Sequence, residues 1–363
     1  MYHSTRNHPS EPAVKRILLL SAYRSDSHAV WSDWLRHNIE NVDWQILELP
    51  GRHFAWRIRG NPLSWLDDMG AEPPDLILAT SMVDLATLKG IHRQLADVPA
   101  WYYFHENQFA YPLSKQQVRS IEPRMVQLYG ALAADRLLFN SRFNRDSFLA
   151  GIDELLALFP DGIPVGLRER LEPRCEVIPV PVTPVHPAEH RDRQLIVWNH
   201  RWEYDKAPQI FADAMFALAD AGVDFRLALL GKRPRKAPES LASLRRTLPD
   251  RIIADGRLPY DEYQQLLGRA GIAVSTAIHE FQGISMLEAA SAGARPLVPD
   301  ALCYPEQYPA EYRYPAGDIR ALADTLQHWL AGPLPDSCPV DDWLAPIIGA
   351  QWQSMLAEAD PDH

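Results

Sequence analysis

The chain is 363 residues long, 47% hydrophobic and 23% charged, the make-up of a folded globular protein with room for two domains. Its apolar runs all fall well short of the roughly 20 residues that span a bilayer, so a membrane-spanning helix is excluded. A formal net charge of −11 argues against a uniformly basic nucleic-acid binder but leaves room for local basic faces.

The first dozen residues, MYHSTRNHPSEP, are polar and of mixed charge with no apolar h-region, so residues 1–14 read as a frayed tail and not a signal peptide. Short apolar runs then alternate with helical stretches. Strands are predicted at 16–22, 44–49, 75–80, 100–104, 136–140 and 176–180, and in a second series at 194–198, 225–230, 251–254, 272–275 and 295–298. Continuous runs such as "ILLL" suit parallel strands covered on both faces. The proline- and charge-rich stretch ending in "VHPAEHRDR" marks a linker at 184–193. The reading is therefore α/β: two Rossmann-like, doubly wound domains, 15–183 and 194–330, facing across a cleft. Residues 331–363 begin with another proline-rich connection and carry a helix near 343–357, expected to cross back onto the first domain.

Cys175, Cys303 and Cys338 have no metal-type spacing and an odd count, which fits a reducing, cytoplasmic setting. No paired-histidine or Asp-x-Asp arrangement implies a divalent metal, and no basic amphipathic helix suggests membrane docking. Three segments are locally basic: Arg52, Arg57 and Arg59; Lys115, Arg119 and Arg124; and Lys232, Arg233, Arg235 and Lys236. Solvated faces account for these as readily as an anionic partner does.

The most informative stretch is "HEFQGISMLEAASAGARPLVP", residues 279–299. Glu280, Gly283, a helix opening near Ile284 and Glu288 follow a strand. A helix start offers unpaired N–H groups and partial positive charge to a phosphate or sugar hydroxyl, and Gly283 allows close backbone approach. Glu288 is placed to accept from a ribose diol and Glu280 from sugar hydroxyls. "WNHRWEYDK", residues 198–206, sits at another strand end, where open α/β sheets bind ligands. Arg201 and Lys206 there suit a diphosphate, although Glu203 or Asp205 offers either of them an ordinary surface partner. Lys232, in "LLGKRP", faces the nucleotide in the same scheme.

In the first half, "YYFHENQFAYP" (102–112) sets His105, Glu106, Asn107 and Gln108 at a strand end. The first strand runs into Ser25, Asp26, Ser27 and His28. "GRHFAWRIRGNPLSW" (51–65) mixes arginine with aromatics such as Trp56, a composition suited to phosphate contact and base stacking or equally to surface packing.

With the paired glutamates, Arg201 and Lys206, the chain resembles family 4 retaining glycosyltransferases of the GT-B fold. The strings "AWRIRGNPLSW", "FHENQ", "FNSRFNRDSF" and "WNHRWEYDK" resemble, more narrowly, the tRNA-queuosine α-mannosyltransferase family. That resemblance implies transfer of mannose from GDP-mannose to queuosine in the anticodon of aspartate tRNA. It also implies a metal-independent same-face mechanism with no cofactor beyond the donor. His105, Glu280, Arg201 and Lys206 are then the expected catalytic residues. Glu288, Gly283, Ile284, Gln282, Lys232 and Asn199 are expected on the donor, and His28, Asp26, Arg57, Trp56, Glu106 and Asn107 on the acceptor. Two departures stand out: Ser25–Asp26 replaces a Gly-Gly turn common in the wider class, and Gln282 stands where an aromatic is expected. A lipid or polysaccharide acceptor, a non-catalytic nucleotide- or tRNA-binding protein of the same fold, and an epimerase or hydrolase remain alternatives.

Overall fold

The computed structural model describes residues 14–111 and 120–359. Twelve strands are described: β1 (Lys15–Arg24), β2 (Val42–Pro50), β3 (Leu76–Thr80), β4 (Ala100–Phe104), β5 (Arg136–Phe139), β6 (Cys175–Val177), β7 (Asp192–Trp198), β8 (Arg226–Leu229), β9 (Ile252–Asp255), β10 (Ala270–Val274), β11 (Arg295–Pro299) and β12 (Arg313–Tyr314). They form two six-stranded sheets, ordered β2-β1-β3-β4-β5-β6 and β12-β11-β10-β7-β8-β9. Paired strands run parallel throughout.

The helices between them are α1 (Asp26–Asn38), α2 (Phe54–Ser64), α3 (Leu85–Ile91), α4 (Glu122–Ala133), α5 (Arg142–Leu156) and α6 (Leu167–Leu171) in the first half. In the second they are α7 (Pro208–Asp220), α8 (Glu239–Thr247), α9 (Tyr260–Arg269), α10 (Ile284–Ser291), α11 (Ile319–Ala331) and α12 (Ala345–Glu358). Central strands such as β3, β4 and β10 are buried at every position, because helices cover both faces of each sheet. The two doubly wound halves are those the strand–helix alternation predicts. β12 is the exception: two residues carry no readable period, and only its pairing with β11 makes it a strand.

The closing helix α12 lies against the first sheet. Trp352 is fully buried, donates its indole N–H to the Pro179 carbonyl at 3.0 Å and packs on Trp31 and Tyr103. Ile348 and Leu356 join the same apolar cluster. The Ala345 amide donates to the Val182 carbonyl, so the chain enters α12 tied to the segment leaving the first sheet.

Candidate active site

Loops after β1, β2, β4 and β5 in one half, and after β7, β8 and β10 in the other, line a cleft of about 1270 Å³. This is where doubly wound sheets bind ligands: the strands converge there and helices begin with their N-termini inward.

On the second half, Lys206 Nζ lies 3.0 Å from Glu280 Oε2 and donates to the His279 carbonyl at 2.8 Å. The Asp205 carboxylate is 3.3 Å from the same ammonium and 3.4 Å from Arg201, whose other arm meets Glu203 at 2.7 Å. Burial pushes the Glu280 carboxyl upward, but Lys206 outweighs it and holds the group at about 2. Burial likewise lowers Lys206, and Glu280 and Asp205 raise it above its ordinary value. The pair is therefore ionised at neutral pH, each charge sustaining the other. Burial, reinforced by Lys206, holds His200 at about 3 and His279 at about 4, so both imidazoles are neutral.

Gly283 caps α10 in the left-handed region, φ +68°, where a side chain would be strained and a Cβ would approach the Tyr304 ring to 3.0 Å. It points the N-terminus of α10 into the cleft, and Ile284 packs there against apolar clusters of both halves. Glu288 accepts a 2.5 Å hydrogen bond from the Tyr263 hydroxyl, which in turn receives one from Asn199 at 2.6 Å. Burial raises the Glu288 carboxyl, and the Tyr263 bond opposes that rise. Asn199, Lys232, Glu288, Glu280, Lys206 and Arg201 all line the cleft. Tyr263 is a site residue with no readable signal in the sequence, since it lies on α9 well before the motif it supports.

On the first half, His105 faces the cleft beneath a buried aromatic wall of Trp31 and Tyr103. Both its ring nitrogens are buried without a protein partner. Burial, then His28, keeps its imidazole far below the ordinary histidine range. Glu106 lines the cleft beside it. Burial raises its carboxyl, and His28, 3.3 Å away, outweighs that and lowers it.

Several residues expected on the acceptor lie outside the cleft lining. His28 is wholly buried, stacked on His105 at 4.0 Å, so it supports His105 and Glu106 and does not line the cleft. Asn107 spends its amide on Asn144 and Ser147 and its carbonyl on the Phe109 and Ala110 amides, which makes it a loop brace. Trp56 and Arg57 lie on α2 outside the cleft lining, whereas Phe54, Ala55 and Ile58 of that helix line it. Asp26 is the first residue of α1, and its side chain lies outside the described residues, whereas Ser25 and Ser27 beside it line the cleft. Of the second basic segment, Arg124 lines the cleft, and Lys115 and Arg119 fall outside the described residues.

Gln282 lines the cleft and has a second role: its side chain accepts from the Val180 amide at 2.9 Å and donates to the Val180 carbonyl at 2.8 Å, so it clasps the first half. Glu306 makes a second clasp, accepting from the Arg142 and Phe143 amides at the start of α5. Ring contacts Tyr111–His279 and Phe143–Phe281 also join the halves. Among the described residues no group of three or more His, Cys, Asp or Glu side chains is arranged to hold a metal ion. Likewise, no described helix is long and apolar enough to cross a membrane.

Residues 16–182 match the family model described as tRNA-queuosine alpha-mannosyltransferase N-terminal, and residues 193–331 match glycosyl transferases group 1. The chain is 34% identical over 316 residues to a tRNA-queuosine alpha-mannosyltransferase of Drosophila melanogaster, covering 83% of this chain and 84% of that one. It is 29% identical over 167 residues to a 2-deoxystreptamine glucosyltransferase of Streptomyces kanamyceticus, covering 44% of this chain and 43% of that one. Among solved structures, a sucrose-phosphate synthase from Thermosynechococcus elongatus superposes with a TM-score of 0.72 at 14% identity, covering 94% of this chain and 98% of that one. HepE of Anabaena in complex with UDP gives a TM-score of 0.67 at 13% identity, covering 94% and 99%.

Proposed function

The chain belongs to the tRNA-queuosine alpha-mannosyltransferase family, and on that premise we propose that it moves mannose from GDP-mannose to queuosine in the anticodon of aspartate tRNA. The observation that carries the reading is the ionised Lys206–Glu280 pair, set between Arg201 and the N-terminus of α10. A buried cation and a partly buried carboxylate side by side suit a donor that is anionic at its diphosphate and rich in hydroxyls at its sugar.

Arg201 and Lys206 would hold the diphosphate, with the first N–H groups of α10 adding partial positive charge. Arg201 carries Glu203 and Asp205 as counter-ions, so its planar fork is already held in position when phosphate displaces one of them. Glu288, aimed by Tyr263, would take the ribose diol, and Glu280 the mannose hydroxyls. His105, neutral and without a protein partner, would contact the sugar from the opposite half.

The bond from mannose C1 to the leaving phosphate oxygen breaks as a hydroxyl of the queuosine cyclopentenediol attacks from the same face. The acceptor proton passes to that phosphate oxygen, and GDP leaves. Stabilisation of the phosphate by fixed cations is the main catalytic term, and alignment of donor and acceptor across the cleft is the second.

The test is transfer by purified protein to queuosine-containing tRNA, with GDP-mannose, GDP-glucose, UDP-glucose and UDP-galactose offered in parallel and the nucleoside weighed by mass spectrometry. A hexose gain with GDP-mannose alone is expected. Gain with another donor would move the sugar, and gain with none would overturn the acceptor.

A further inference from the structure

Helix α2 lines the cleft with Phe54, Ala55 and Ile58 and turns a different ridge to solvent. Trp56 on that ridge is 54% exposed. Its indole packs against the helix at Gly60, so close that a Cβ there would sit 2.5 Å from the ring. A side chain at Gly60 would collide with the ring, so the glycine leaves the space the indole occupies. The helix thus covers part of the indole while just over half of the residue stays exposed. Leu63, 61% exposed, continues the same ridge.

The charge along this stretch of chain is one-sided. Residues 49–66 hold Arg52, Arg57 and Arg59 and no acidic residue, in a chain where Asp and Glu outnumber Lys and Arg by 47 to 36. Arg59 is braced by Asp84 at 2.6 Å, and Arg52 is exposed. An apolar plate flanked by arginines, contiguous with the wall of a cleft, matches an unpaired base and its phosphates.

We propose that the outer ridge of α2 is an RNA-docking surface, with Trp56 stacking an unpaired base of the loop that delivers its modified nucleoside to the cleft. The inference rests on the acceptor being RNA. Recognition by stacking is tolerant of base identity, so Trp56 adds affinity for a single-stranded loop without reading its sequence. Arg52 contributes a phosphate contact that salt screens.

The experiment compares Trp56→Ala, Trp56→Phe and Arg52→Ala with the wild type in the transfer assay and in filter binding of the same tRNA. Stacking is worth roughly 1–3 kcal/mol per base, so Trp56→Ala should raise KM for tRNA about 5- to 150-fold. KM for GDP-mannose and kcat should stay unchanged, and Trp56→Phe should recover most of the loss. Arg52→Ala should lower the salt slope of binding by about one. An unchanged KM for tRNA, or an equal rise in KM for GDP-mannose, overturns the proposal, as does self-association of the wild type that Trp56→Ala abolishes. Should the wild type transfer nothing to tRNA, the acceptor assignment fails on its own. Filter binding then decides the surface: weaker binding by Trp56→Ala upholds it, and equal binding removes it.

Discussion

Lys206 and Glu280, 74 positions apart in the chain, meet at 3.0 Å between ammonium and carboxylate. Neither is stable there alone, because a buried charge without its partner is costly. Lys206→Met should therefore destabilise the protein by about 3–5 kcal/mol and cut transfer by orders of magnitude. Lys206→Met with Glu280→Gln should recover much of the stability and none of the activity. Thermal melts beside the transfer assay separate the two effects. A single variant as stable as the wild type would show that the pair is not buried as described.

Stability should fall as pH drops below 6.5. His105, His200 and His279 have folded-state values well below the ordinary 6.5, two of them at about 3 and about 4. Between those values and 6.5 the unfolded chain binds protons that the folded chain does not, so stability rises with pH across this window and is lost on acidification. Glu280, held at about 2, adds a further loss below the ordinary carboxylate value, as its native charge is removed. Urea midpoints from pH 7 to pH 4 measure the slope, to which His200 and His279 contribute close to two protons near pH 5 and His105 adds in the same direction. His279→Asn should remove about one of them.

Gln282→Ala should loosen the two halves from each other. It strips both partners from the buried Val180 peptide groups, each worth roughly 1–3 kcal/mol when left unpaired. Small-angle scattering should show a more open particle, with KM for the donor raised. A particle of unchanged dimensions and normal KM would leave Gln282 no part in closure.

Glu306→Gln should weaken the cap that the second half places on α5. The carboxylate accepts from two amides at that helix start, and such a cap is typically worth about 1 kcal/mol. Faster hydrogen exchange at the Arg142 and Phe143 amides is the expected signature. Exchange identical to the wild type would mean that the contact is not maintained in solution.

Tyr263→Phe should impair donor binding while sparing chemistry. The hydroxyl it removes is the one that orients Glu288, and a hydrogen bond to a charged group contributes roughly 1.5–3 kcal/mol. A tenfold or larger rise in KM for the donor with kcat nearly unchanged is expected. A drop in kcat alone would shift Glu288 from ribose recognition to the reacting sugar.

The sequence by itself determined the two doubly wound halves, the charged loops at the strand ends of the second half and the family. Local signals carry these: runs such as "ILLL" demand burial on both faces, and Glu280, Gly283 and Glu288 lie within nine residues of one another. Only the tertiary structure decided which polar groups face the cleft. Asn107 and His28 sit in motifs that look like binding loops, yet one braces its loop and the other backs His105. Gln282 reads as a donor contact, and packing also makes it a clasp on Val180, while Tyr263 and Glu306 had no readable role until α9 and β11 brought them to Glu288 and α5. Periodicity reports whether a residue is buried, and a motif reports what its chemistry allows. Which partner a buried polar group finds depends on segments tens to hundreds of residues away, and packing alone makes that choice.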